Sequence, residues 1–183
     1  MLWPFSQFRK PRQAPRGTIE AIYGMIVTQA REPIFYRDLA VSDTVNGRFD
    51  LLLLHLWLLL RRLRTVAKGP ELSQALFDRF CEDMDDNLRE MGIGDQVVPK
   101  RMQAFGEAFY GRTKAYDGAL EEGGEALALA ICKNILNGAH IAQAQRLAAY
   151  ARAVEAALGH AGEATLLDAS FVFPSPIREE MTP

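Results

Sequence analysis

The sequence predicts an all-α fold: a single globular helical domain of about six or seven helices around a buried central helix. Three observations lead there. The stretch 49–63, FDLLLLHLWLLLRRL, is apolar from Leu51 to Leu60 except at His55. Segments with the i, i+3, i+4, i+7 spacing of one buried helical face recur on both sides of it. The C-terminal third is rich in alanine, which favours helix and permits close packing.

A run that is apolar all round is either wrapped by protein or spans a membrane. Spanning takes roughly 17–25 such residues, and Arg61, Arg62 and Arg64 end this run sooner. Those arginines suit the negative end of a helix dipole. At 183 residues the chain suits one domain with a sizeable core. The expected division is a basic and aromatic tail over 1–16, a helical domain over 17–174 and a loose tail over 175–183. A net charge of −2 excludes an overall basic field, so DNA is not an expected partner. Cys81 and Cys132 each fall within an apolar helical pattern and read as reduced thiols.

In chain order, residues 1–16 place Trp3, Phe5 and Phe8 before Arg9, Lys10, Arg12 and Arg16, with Pro4, Pro11 and Pro15 interrupting any helix. Trp3, Phe5, Phe8, Arg9 and Lys10 are candidates for peripheral membrane contact, the alternative being a plain disordered tail. No secretory signal is apparent, and the expected location is cytoplasmic. The first helix is expected from Thr18, as N-cap, to Arg31. Residues 33–47 read as irregular, with Asn46-Gly47 as a turn leading into the central helix. Gly69-Pro70 reads as its stop. A long amphipathic helix follows over 72–91, with Leu72, Leu76, Phe80, Met84 and Leu88 on one face and acidic residues on the other. Gly92-Ile93-Gly94-Asp95 reads as a junction, with Asp95 capping a helix over 97–110 whose surroundings are basic. Gly118 and Gly123-Gly124 mark a loop, two alanine-rich helices follow, and 161–170 reads as a connector. Phe171-Val172-Phe173 reads as a short extended segment that fills a groove.

Enzymatic signals are thin. No HExxH, CxxC, GxSxG, Walker A or GxGxxG pattern occurs, and no metal or cofactor is expected. His55 reads as a hydrogen-bonded core histidine. Asp86 and Glu90, or Glu82 and Asp86, lie one helical turn apart, and Asp85, Asp86 and Glu90 could bind magnesium, as in a small helical isoprenoid or lipid enzyme; a solvated acidic face is the default. The cations from Arg61 to Lys68 offer a further alternative, an RNA- or ribosome-binding adaptor.

One combination of strings is more specific. Gly47-Arg48-Phe49-Asp50 leads into Leu54-His55; LSQALFDRFCEDMDDNLREMGIGD follows over 72–95; Lys100-Arg101, then Ala108-Phe109-Tyr110-Gly111-Arg112 and Tyr116 complete the set. In order and spacing this resembles the ubiquinol–cytochrome c chaperone family, over about residues 33–120. The resemblance implies an assembly factor rather than an enzyme: a chaperone for ubiquinol–cytochrome c reductase, respiratory complex III, with newly made cytochrome b as client. It also implies a small partner chaperone, proximity to the ribosome and a place peripheral to the cytoplasmic side of the inner membrane. On that reading the client- or partner-binding candidates are Glu82, Asp83, Asp86, Glu90, Arg89, Phe77, Met84, Met91, Lys100, Arg101, Phe109, Tyr110 and Arg112. The same signature also reads as fold-shaping, with glycines at a junction and arginines paired within the domain.

Overall fold

The computed structural model describes residues 16–176. They form helices and connecting turns: α1 (Arg16–Ala30), α2 (Pro33–Arg37), α3 (Val45–Leu63), α4 (Gly69–Glu90), α5 (Val98–Glu122), α6 (Ala126–Ile135), α7 (Ile141–His160) and α8 (Glu163–Leu167). There is no strand among the described residues. The membrane-contact candidates Trp3, Phe5, Phe8, Arg9 and Lys10 lie outside them. No helix of the described chain is long and apolar enough to cross a membrane.

Every residue of α3 from Phe49 to Leu59 is buried. The helix packs against α1, α4, α6 and α7, while α4–α5, α5–α6 and α6–α7 are also neighbours. Helix α3 starts earlier than the expected turn at Asn46-Gly47. Extended Thr44 precedes it, and its Oγ1 accepts from the Gly47 amide at 3.2 Å, so a side-chain cap prevails over the Asn-Gly turn signal. Gly47 is needed for close approach instead: a Cβ there would lie 2.0 Å from the Ser42 carbonyl oxygen.

Gly69-Pro70 likewise opens α4 rather than stopping α3, which has already ended at Leu63. Proline suits the first turn of a helix, where its missing N–H has no partner to lose. A Cβ on Gly69 would lie 1.7 Å from the Leu63 carbonyl oxygen. Thr18 is inside α1 rather than its cap, and the segment expected to be irregular contains α2. Helix α5 continues past the loop expected at Gly118, because Phe109, Thr113, Tyr116 and Ala119 extend one buried stripe. The expected connector over 161–170 contains α8.

The polar atoms carried inward by α3 are met by other elements. His55 Nδ1 donates to the Leu51 carbonyl at 2.7 Å, which leaves Nε2 to accept from the Tyr150 hydroxyl at 2.8 Å. That hydroxyl accepts in turn from Gln29 Nε2 at 3.0 Å, so α1, α3 and α7 share one polar chain. Phe173 meets the His55 ring edge-on at 5.4 Å. Phe171 and Phe173 are buried, and Val172 between them is exposed. At the end of α3, Trp57 Nε1, Arg61 and Arg64 all donate to Asp117 of α5, at 2.9, 2.9 and 2.8 Å. Burial alone would raise the Asp117 carboxyl, but these donors outweigh it and hold the group below its usual value. Arg61 also reaches Glu155, and Arg62 donates to the Leu158 and Ala161 carbonyls. Cys132 is buried and Cys81 half-buried, both as free thiols.

Burial pushes the His55 imidazole from 6.5 down to about 4. The folded state therefore resists protonation in a window where the unfolded chain accepts it. Stability is full above about pH 6.5 and falls as pH drops toward about 4, by about 3 kcal/mol. Chemical denaturation of wild type and His55→Gln across that window measures the effect. The wild type should lose more stability than the variant; parallel profiles would show that His55 is not held neutral.

Candidate functional site

Helices α4 and α5 carry most of the candidate residues. In α4 the stripe Leu72, Leu76, Phe80, Met84 and Leu88 is buried, and the same four-residue period puts Asp78, Glu82, Asp86 and Glu90 on an exposed stripe. The helix ends in a glycine stop. Gly92 is left-handed at φ 77°, its amide donates to the Arg89 carbonyl at 2.9 Å, and the Ile93 amide donates to the Leu88 carbonyl at 3.0 Å. Asp95 does not cap α5, whose N-cap position is Val97; it pairs with Arg89 instead.

The candidates separate by environment. Glu82, Asp86 and Glu90 are exposed and form no ion pair among the described residues. Asp83 is half-buried and accepts from the Tyr23 hydroxyl at 2.9 Å, while Arg79 beside it pairs with Glu20. Asp83 thus belongs to the α1–α4 joint. Burial, reinforced by the Asp83 charge, raises the Tyr23 hydroxyl far above its usual value and keeps it a donor. Arg89 is held by Asp85 at 2.6 Å and by Asp95.

Phe77, Phe109 and Tyr110 form an aromatic cluster between the two helices, with Phe77 centroids 4.9 Å from Phe109 and 6.4 Å from Tyr110. Phe109 and Met84 are buried, whereas Met91 and Tyr110 are exposed at 56% and 47%, enough to meet a partner. Lys100 and Arg101 are exposed on the first turn of α5.

Arg112 stands apart from that surface. Its Nη1 lies 2.6 Å from Asp50 Oδ1 on α3, and its guanidinium lies over the Phe49 ring at 5.5 Å. The contact is close, but neither atom has an aligned hydrogen bond, and the buried Tyr116 hydroxyl has none either. Tyr116 feels both charges. Burial pushes the Asp50 carboxyl up to about 7 against the pull of Arg112. The strings GRFD and AFYGR, some sixty positions apart, therefore meet at one joint between α3 and α5. Asp50 was not among the candidate site residues; the sequence offered only the fold-shaping reading of the signature, with its arginines paired within the domain, and did not name Asp50 as the partner of Arg112.

The sequence model described as Ubiquinol-cytochrome C chaperone matches residues 37–173. This chain belongs to that family. A crystal structure of the Cbp3 homolog from Brucella abortus is similar at 35% identity with a TM-score of 0.81, covering 89% of this chain and 92% of that one. Ubiquinol-cytochrome-c reductase complex assembly factor 1 of Xenopus laevis is 27% identical over 104 residues, 56% of this chain and 52% of that protein. Protein CBP3, mitochondrial, of Saccharomyces cerevisiae is 29% identical over 108 residues, 57% of this chain and 32% of that protein. The match thus spans about half or less of these two curated relatives.

The expected cytoplasmic location is corrected by these relatives. The yeast protein is mitochondrial by name, and the animal proteins are named as assembly factors of the ubiquinol-cytochrome c reductase complex. The expectation rested on an absent leader, and the start of a chain is a poor guide to its compartment. Of the cations behind the RNA-adaptor reading, Arg61 pairs with Asp117 and Glu155, Arg64 with Asp117 and Arg62 with carbonyls, while Lys68 is exposed. For the magnesium reading, Asp85 is engaged by Arg89, and no group of three or more His, Cys, Asp or Glu among the described residues could hold a metal ion.

Removing one member of a buried ion pair strands the other charge. Arg112→Met is expected to cost about 3 kcal/mol at about pH 8, and clearly less at about pH 5, where Asp50 takes up a proton. Denaturant titrations at both values measure this. An equal cost at the two would show that Asp50 carries no charge in the joint.

Proposed function

We propose that this chain is an assembly chaperone for ubiquinol–cytochrome c reductase, complex III, and that newly made cytochrome b is its client. The observation that carries this reading is the family match over 37–173, together with relatives whose names describe assembly of that reductase. A family described as chaperones accords with a non-enzymatic role.

A membrane protein awaiting assembly exposes apolar helix surface and loops rich in Lys and Arg. The exposed carboxylates Glu82, Asp86 and Glu90 suit the loops. Met91 and Tyr110, backed by Phe77, Phe109 and Met84, suit an apolar segment, and methionine adapts to varied partners. Lys100, Arg101 and Arg89 form the rim. Helix α3 acts in this proposal as the buried central post that fixes α4 relative to α5, within one unit over 17–174. Arg112 and Asp83 hold that frame and do not touch the client. A small partner chaperone and the nearby ribosome complete the proposed setting.

Glu82→Lys, Asp86→Lys and Glu90→Lys together should reduce co-purification of cytochrome b by about 10-fold, since exposed unpaired charges act on association more than on stability. The melting temperature should stay close to wild type. Asp83→Lys, by contrast, should lower it by breaking the Tyr23 contact. Undiminished co-purification with the triple variant would remove this face from the account.

A further inference from the structure

Away from the α4–α5 face, the turn from α1 through α2 to α3 borders an open cavity of about 440 Å³ lined by Arg31, Pro33, Tyr36, Arg37, Asp43 and Arg48. Three guanidinium groups face one concavity with a single carboxylate among its lining residues. Arg48 is paired with Asp43 at 2.8 Å, and Arg37 with neighbouring Asp38 at 3.2 Å. Arg31 is exposed and has no ion-pair partner among the described residues. The pairing leaves one uncompensated positive charge in the cavity wall and two further forks able to turn toward an anion.

Tyr36 holds these groups in place. Its hydroxyl donates to the Ala30 carbonyl at 2.7 Å, fixing α2 against the end of α1 where Arg31 begins the turn. Arg48 lies over its ring at 5.9 Å. Burial raises the Tyr36 hydroxyl, and the charges of Arg48, Asp43 and Arg31 all act on it, so both arginines are within electrostatic reach of that oxygen. The other nearby acid, Glu32, acts on Tyr150 and is not part of the cavity wall.

We propose that this arginine-lined cavity is a binding site for a phosphate group. A carboxylate occupies one guanidinium fork, whereas a phosphate offers three terminal oxygens and up to two charges to several forks at once. The volume is within the range of small-molecule sites, so the phosphate is carried on a larger molecule, either a soluble phosphate ester or an anionic lipid headgroup. The site stands independently of the proposed chaperone role.

Calorimetric titration of the full chain with inorganic phosphate, and flotation with phosphatidylcholine vesicles with and without phosphatidylglycerol, test the proposal. Saturable phosphate binding that falls at least about 10-fold in Arg31→Glu and in Arg37→Glu, but not in the surface control Lys133→Glu, supports a soluble ligand. Phosphatidylglycerol-dependent flotation with the same variant pattern, without uptake of free phosphate, supports a headgroup. Circular dichroism checks that each variant is folded, and because Arg37 is highly exposed its variant remains informative if Arg31→Glu does not fold. Binding of neither probe, equal binding by the arginine variants, or equal affinity for acetate would overturn the assignment.

Discussion

The constraint on which the rest depends is that α3 has no exposed face over most of its length. Eleven successive residues, Phe49 to Leu59, are buried, so protein must cover that segment on every side. Helices α1, α4, α6 and α7 supply contacts, and the C-terminal Phe171 and Phe173 add to the same core. Burial on this scale leaves no room for unmet polar groups without cost. His55 answers with a hydrogen-bond chain to α7 and α1, and Asp50 with an ion pair to α5. Beyond the fully buried stretch, Arg61, Arg62 and Arg64 carry their charges to α5, to α7 and to Ala161 just beyond it. The polar groups at Asp50, His55, Trp57, Arg61 and Arg62 therefore tie α3 to neighbouring elements.

Much of this was legible from periodicity. The apolar run announced α3, and the four-residue repeat from Leu72 to Leu88 announced the buried and acidic faces of α4. Boundaries were less legible because local signals compete. Asn46-Gly47 has turn chemistry, yet Thr44 caps the helix three residues before Gly47, and the chain crosses too close to Ser42 for any other residue there. Gly118 resembled a break, yet it faces solvent while Tyr116 and Ala119 keep α5 anchored. Pairings between distant positions carried no local signal at all. Nothing near Asp117 indicates that it gathers Trp57, Arg61 and Arg64, and nothing near Asp50 names Arg112.

The family signature divides along the same line. Gly47, Asp50, Gly92, Arg112 and Tyr116 shape the chain through close approach, a helix stop and a buried joint. Glu82, Asp86 and Glu90 on α4, Met91 at its end and Tyr110 on α5 are exposed. Among the described residues, that frame holds many internal ion pairs, while Glu82, Asp86 and Glu90 are left unpaired near the exposed Met91 and Tyr110. Surface charge alone does not decide between partners; the family does most of that work.

The central claim is that the chain serves assembly of complex III. Its most direct measurement is the respiratory-chain content of a strain from which the gene has been deleted, with and without the wild-type gene restored. The account predicts loss of cytochrome b and of complex III, with the other respiratory complexes retained and the defect reversed by the restored gene. Normal complex III in the deletion strain would contradict it.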